Sequence, residues 1–190
     1  MVTTCELCKW THVSGVPEEE QKHDALHDDY LRPLIPEPSP LLRSAREKNP
    51  VVWVDCKSPE WMRKEVYWRA KIFQREFGYD MAQWEIESRH DPEAIGLLFH
   101  DPEDRIIGAC AFRPIEKGHV RLDWIWLCPA ARRTGVLSRH WEMFRGRFGV
   151  FSIGGPISGA MLGFLRAKFP DHKISPGFVH EATLQVSKFI

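Results

Sequence analysis

Cys5 and Cys8 are separated by two residues and His23 and His27 by three, giving the spacing C-x2-C-x14-H-x3-H. Two thiols on one turn and two imidazoles one helical turn apart can converge on a single tetrahedral ion. Sulfur and imidazole nitrogen in that geometry select zinc. Side chains fill all four positions, so the pattern reads as a closed, structural site with no position left for a reacting water. His12 is a competing ligand candidate. Pro17 to Asp29 should be the helix that carries both histidines. It holds Glu18, Glu19, Glu20, Asp24, Asp28 and Asp29 against Lys22 alone. A phosphate backbone repels such a surface, so the finger is expected to meet protein or stabilise the fold, not to bind nucleic acid.

The second chemical signal is Leu127-Cys128-Pro129-Ala130-Ala131-Arg132-Arg133-Thr134-Gly135-Val136. It joins a strand candidate, Val120 to Leu127, to a helix candidate, Arg133 to Phe148. A strand that ends in a loop opening a helix presents backbone amides to an anion, and the helix dipole favours negative charge there. Gly135 allows close backbone approach. Arg132, Arg133, Arg139, Arg145 and Arg147, offset only by Glu142, add cationic charge. A pyrophosphate with a further phosphate, as in coenzyme A, suits this segment. A surface helix with solvated arginines is the plainer alternative. A third signal is Asp123, an acid inside the apolar run Val120-Arg121-Leu122-Asp123-Trp124-Ile125-Trp126, where a carboxylate must be paired or functional.

The elements that must position these groups are legible in outline. The 190 residues are 43% hydrophobic and include 8 Trp, enough for one packed domain plus a small module. The 26 basic and 26 acidic residues cancel, which excludes a whole-protein basic field for nucleic acid or anionic membrane. No apolar stretch is long enough to span a bilayer and Met1 to Lys9 has no signal-type run, so an intracellular, cytoplasmic protein with no membrane partner is expected. Residues 1–31 form the finger, with seven acids against two bases. Residues 32–49, with Pro33, Pro36, Pro38 and Pro40, are expected to be an extended linker. Residues 50–190 alternate strand and helix signals, which predicts an α/β domain. Val51 to Cys56 reads as a strand, and Ser58-Pro59-Glu60 as the capped start of a helix that stops at Gly78. Ile95 to Phe99 and Arg105 to Phe112 flank an Asp-Pro-Glu-Asp turn and predict a hairpin. Val150 to Ile153 reads as a short strand, Ser158 to Phe169 as a helix, and Gly177 to Ile190 as one or two further strands.

Arg132 to Leu137 resembles the acetyl-CoA motif of the GNAT acetyltransferase superfamily, Q/R-x-x-G-x-G/A, with Leu137 in place of the usual small residue. The resemblance implies a mixed central sheet flanked by helices, an α/β (α+β) GNAT fold with an N-terminal Cys2His2 zinc finger. It implies acetyl-CoA as cosubstrate, contacted by Ile125, Trp126, Leu127, Arg132, Arg133, Thr134, Gly135 and Val136. Ser158 to Leu165 resembles the helix that flanks the cofactor thiol, which adds Ser158 and Phe164; Leu165 falls where many members carry a tyrosine general acid. More narrowly, the finger, the Val51 to Tyr79 segment and Ile125-Trp126-Leu127 leading to Arg132-Arg133 are similar to the cohesion-establishment (Eco-type) acetyltransferases. That family acetylates lysines on the cohesin ATPase head. No long extension or clamp-binding segment precedes the finger, so a compact relative with another target is expected.

Amide formation needs a neutral amine, and deprotonating a free lysine at pH 7 costs roughly 4–5 kcal/mol. A carboxylate commonly supplies the base. Superfamily members often carry it on the strand before the cofactor loop, which makes Asp123 the candidate; a structural Asp123–Arg121 ion pair is the alternative. The Eco-type acid would fall at Ile153. Glu116, His119, His180 and Glu181 are fallback bases, and Cys128 reads as a small core residue and not a nucleophile. Trp53, Trp61, Trp68, Trp124 and Trp126 read as core, and Trp126 is also a candidate wall of the acceptor tunnel. A protein lysine is the expected acceptor. The competing readings are a small amine or aminoacyl-tRNA, or a non-catalytic acetyl-CoA-binding module.

Overall fold

The computed structural model describes residues 1–172 apart from Leu7, Lys9, Lys117 and Pro156, with the Glu116 side chain also outside the description. The expectations for Gly177 to Ile190, and for His180 and Glu181, lie outside the described residues.

The N-terminal module is a two-stranded antiparallel ribbon, β1 (Val2–Thr4) and β2 (Thr11–Val13), followed by helix α1 (Pro17–Leu34). Pro17 opens α1, where its missing donor is harmless, and three glutamates in the first turn complement the helix dipole. The helix runs on through Pro33, past the boundary expected at residue 31. Residues 40–48, expected to be extended, form helix α2 (Pro40–Lys48). The same prolines explain the difference: Pro40 sits at the first helical position, and the Ser39 hydroxyl accepts from the Leu42 amide at 3.3 Å. Leu42 is fully buried, and Arg43 and Arg46 reach Asp104, so α2 packs down on the core instead of spacing it from the finger.

The main sheet has the order β3-β4-β5-β6-β7. Its strands are β3 (Val52–Val54), β4 (Ile95–His100), β5 (Ile106–Glu116), β6 (His119–Leu127) and β7 (Ser152–Ile153). All neighbours are antiparallel except β6 and β7. Side chains alternate across a strand. On one face Trp124 meets Phe73 of helix α3 (Glu60–Phe77), their rings 5.9 Å apart. On the other, Phe112 meets Phe144 of helix α4 (Val136–Phe148) at 5.0 Å. Helix α5 (Gly159–Lys168) packs on α4 through Phe164 and Trp141, 5.2 Å apart.

Helix α3 ends at Gly78, as its sequence predicts, but begins at Glu60 without a side-chain cap. The Ser58 hydroxyl is occupied: it accepts from the Asp55 amide and donates to the Asp55 carboxylate.

His140, half-buried in α4 and donating Nδ1–H to the Val136 carbonyl at 2.8 Å, has its pKa lowered, chiefly by burial; burial also lowers that of His172. The unfolded chain, with histidine near 6.5, then takes up these protons first, so the stability they contribute is complete above about pH 6.5 and is lost below it. Urea unfolding at pH 7.5 and 5.5 should show this loss, and His140→Asn should make it shallower.

Candidate metal centre and cofactor site

The ββα module brings Cys5, Cys8, His23 and His27 together, with their four ligand atoms all within 4.8 Å of one another. Cys5 Sγ lies 3.5 Å from His27 Nδ1, and Cys8 Sγ lies 3.5 Å from His23 Nε2. A tetrahedral zinc with Zn–S near 2.3 Å and Zn–N near 2.05 Å places sulfur and nitrogen about 3.5–3.6 Å apart, so the donor set fits that ion. His23 turns its other nitrogen to Asp24, 3.3 Å away, the kind of outer contact that fixes a ligand's tautomer. His12 stacks on the His23 ring at 4.2 Å and is not one of the four. Of the described residues in 1–31, only Cys8 is fully buried, while Met1, Val2, Trp10, Val13 and Val16 are exposed. A module with so little core needs another source of stability.

The module docks on α3. Arg75 donates to the Cys8 carbonyl at 2.5 Å and lies 4.8 Å over the Tyr30 ring, and Arg32 reaches Glu65 at 3.4 Å.

At the end of β6 the chain makes a single 3-10 turn, Pro129–Ala131, then Arg133 and Gly135 take positive φ, 62° and 81°. Gly135 occupies the N-cap of α4 and offers no capping side chain, so the first-turn amides of this 13-residue helix lack a side-chain acceptor. A Cβ on Gly135 would stand 3.2 Å from Arg139 Nη1, in a backbone conformation that L side chains rarely adopt. Arg133, Thr134 and Arg139 are exposed around this turn, while Thr134 Oγ1 donates to the Ala131 carbonyl and Val136 is buried. A cavity of about 1300 Å³ opens beside the loop, with Leu31 and Leu34 of α1, Ile72 and Arg75 of α3, and Ala130 and Arg139 among its walls.

Strands β6 and β7 pair only at Arg121–Ser152 and Leu122–Ile153, and the Gly154 amide donates to the Leu122 carbonyl at 2.8 Å. Beyond that point no described residue of β7 pairs with Asp123 to Leu127. Asp123 is an extra residue in β6: Leu122 and Trp124 face the consecutive residues Phe112 and Ala111 of β5. Such a bulge bends a strand. Gly154 allows the close passage there, since a Cβ would meet Asp123 Cα at 3.3 Å.

The Asp123 side chain is 4% exposed. One carboxylate oxygen accepts from Arg113 and the other from Arg121; Arg113 also holds Asp91 and the Gln83 carbonyl. Burial, and secondarily the Asp123 charge, raises the Tyr79 pKa and keeps that phenol protonated at neutral pH. The ion pair that the sequence left as an alternative is therefore formed, with Arg113 as the partner that sequence order conceals.

Other expected residues fall differently. Trp126 is 2% exposed and donates from Nε1 to Glu76, so its side chain belongs to the core. Ile125 and Leu127 are half-buried. Ser158 caps α5 by accepting from the Met161 amide, and Phe164 packs on Trp141 of α4. Ile153 and Leu165 are buried apolar positions, and Cys128 is 1% exposed, as a core residue should be. Sequence reasoning missed Glu76, which accepts from both Trp126 and Arg132. Its one local signal is an acid in the last turn of a helix, where the dipole disfavours it.

No protein-family model matches the chain, and no curated protein does. Among solved structures, the xEco2 acetyltransferase domain bound to a K105-CoA conjugate superposes with a TM-score of 0.51 at 17% identity, over 68% of this chain and 92% of that one. The fold is GNAT-like. An acetyltransferase of the GNAT family from Staphylococcus aureus Mu50 (TM-score 0.44, 9% identity, 64% of this chain and 82% of that one) and Tetrahymena GCN5 (0.42, 12%, 52% and 62%) are more distant likenesses. This chain spans less than two thirds of the Tetrahymena protein's length. In the GNAT-like frame the parted β6–β7 edge and the loop at the head of α4 lie in one continuous stretch of chain, Asp123 to Val136.

Proposed function

We propose that the protein is an acetyl-CoA-dependent N-acetyltransferase whose acceptor is a lysine of a protein substrate. The observation that carries this reading is the uncapped turn at the head of α4, with two positive-φ residues, directly after a strand that parts from β7 beyond Leu122 and has no other partner on that edge among the described residues. Amides at a helix N-terminus receive phosphates, and an open strand edge receives an extended chain with amides of its own. Thr134, Gly135 and Val136 then supply backbone donors, Arg133 and Arg139 supply charge, and Ile125 to Leu127 supply backbone along the arm. Bound acetyl-CoA supplies a thioester carbonyl for direct attack. Cys128, buried at 1% exposure, is not placed to act as a nucleophile.

The pairing of Asp123 with two arginines favours a role in holding the bulge over a role as base, because both carboxylate oxygens are already engaged by guanidinium donors. A non-catalytic acetyl-CoA-binding module is the second reading, favoured by that pairing and by buried Ile153 and Leu165. The acidic α1 face supports a protein acceptor over tRNA, and the C-x2-C pair of Cys5 and Cys8, spaced for a metal and not for a disulfide framework, supports an intracellular, cytoplasmic setting.

Calorimetric titration with acetyl-CoA tests the cofactor. Gly135→Val should weaken binding about 100-fold, because a β-branched residue at positive φ is strained and its side chain covers the amides. No binding by the wild type at millimolar ligand would overturn the reading. Turnover of labelled acetyl-CoA with lysate protein separates enzyme from module, and mass spectrometry of the product identifies the acceptor.

A further inference from the structure

Glu76 stands in the last turn of α3 with a side chain only 20% exposed. Its Oε2 accepts from Trp126 Nε1 at 2.8 Å and from Arg132 Nη2 at 2.7 Å. Arg132 in turn donates from Nε to the Leu127 carbonyl at 2.9 Å, and its guanidinium lies 5.9 Å from the Trp126 ring centre. One carboxylate oxygen thus ties a buried residue of β6 to the first arginine of the loop, and that arginine closes the loop back on the end of the strand. The neighbouring Arg75 ties the same helical turn to the N-terminal module, through the Cys8 carbonyl.

Resting on the reading that the loop receives acetyl-CoA, we infer that Glu76 is a positioning residue for it. Glu76 holds Arg132 against β6 and so presets the backbone from Arg133 to Gly135, whose amides face the phosphates. Arg132 then acts by shaping the loop: its Nε and Nη2 donors are directed to Leu127 and Glu76 and hold the guanidinium against β6. Turning it toward a phosphate would leave the Glu76 carboxylate beside the indole without its counter-charge, an arrangement disfavoured in a half-buried site.

The two roles for Arg132 predict opposite results for Glu76→Gln. If Glu76 presets the loop, the variant should bind coenzyme A about tenfold more weakly, the loss expected for one charge-assisted hydrogen bond. The KM for acetyl-CoA should rise with it while kcat at saturation stays within twofold. The Trp126 indole N–H resonance should shift, and in an Arg132→Met background the same substitution should change Kd less than twofold. If Arg132 were the phosphate ligand, freeing it from Glu76 would tighten binding. Tighter or unchanged binding, or an undiminished effect in the Arg132→Met background, overturns the inference. Glu76→Asp, which keeps the charge and shortens its reach, should weaken binding in the same direction and serves if Glu76→Gln does not fold. Failure of the wild type to bind coenzyme A removes the functional reading and this inference together, whereas a binding wild type with indifferent variants removes this inference alone.

Discussion

Chelation of divalent metal is expected to unfold residues 1–16 while leaving the five-stranded sheet intact. The purified protein should carry one zinc per chain, and cobalt in its place should give the spectrum of a tetrahedral thiolate–imidazole site. The reason is how little else orders this segment: among its described residues one hydrogen bond from Arg75 to the Cys8 carbonyl ties it to α3. Among the described residues of 1–31 only Cys8 is fully buried, while five large apolar side chains face solvent. The two strands are three residues each, too short to persist alone. In finger peptides the metal supplies on the order of 10–16 kcal/mol, and that binding energy is the folding energy. Amide exchange in β1 and β2 should therefore accelerate by on the order of a thousandfold on metal removal or in Cys8→Ser. Helix α1 should lose its first turns and keep its last, where Tyr30 and Arg32 are held by Arg75 and Glu65 on α3. Substoichiometric zinc, or protection of β1 and β2 that survives chelation, would show that the four residues do not hold the module together.

Asp123→Asn should act on stability before it acts on chemistry. The carboxylate is 4% exposed and receives both Arg113 and Arg121. Removing one partner of a buried ion pair leaves charge uncompensated and costs about 3 kcal/mol, near the low end of such losses because Arg113 keeps Asp91 and Arg121 is 40% exposed. For a chain of this size that corresponds to a fall in Tm of roughly 6–12 °C. With the ion-pair role, kcat/KM between pH 6 and 9 keeps its shape and any loss follows the unfolding. With the base role, Tm is preserved, kcat/KM falls by about 100-fold or more, and the alkaline-rising limb disappears. Circular dichroism and a pH–rate profile on the same preparation separate the two. The bulge at Asp123 and the parting of β6 from β7 occur at the same residue, so a substitution that disturbs one disturbs the other.

Much of the layout was legible because it follows from local rules. The spacing of Cys5, Cys8, His23 and His27 specifies a tetrahedral donor set wherever a ribbon and a helix meet, and the fold brings them within 4.8 Å. Gly78 ends α3 and Ser158 caps α5 through short-range backbone needs. The strands flanking Asp101 to Asp104 form their hairpin for the same reason. The stretch around Pro36 to Pro40 misled because proline is compatible with both an extended chain and the first turn of a helix; the Ser39 cap and burial of Leu42 decide for the helix.

What the sequence by itself determined was the inventory: a four-ligand cluster, a strand–loop–helix with a glycine at the head, and one acid in an apolar strand. Tertiary structure alone decided what those groups face. Asp123 is ten residues from Arg113, and the bulge in β6 turns them toward one another. Arg132 is 56 residues from Glu76, and Trp126 is 50 from it, so no local pattern could announce that one carboxylate holds both. Ionic and hydrogen-bonded partners are selected by distance in space. Capping, metal spacing and turn formation are selected by distance along the chain. That difference is why the elements and the Cys/His cluster could be read from order alone, while the partners of Asp123, Trp126 and Arg132 required the fold.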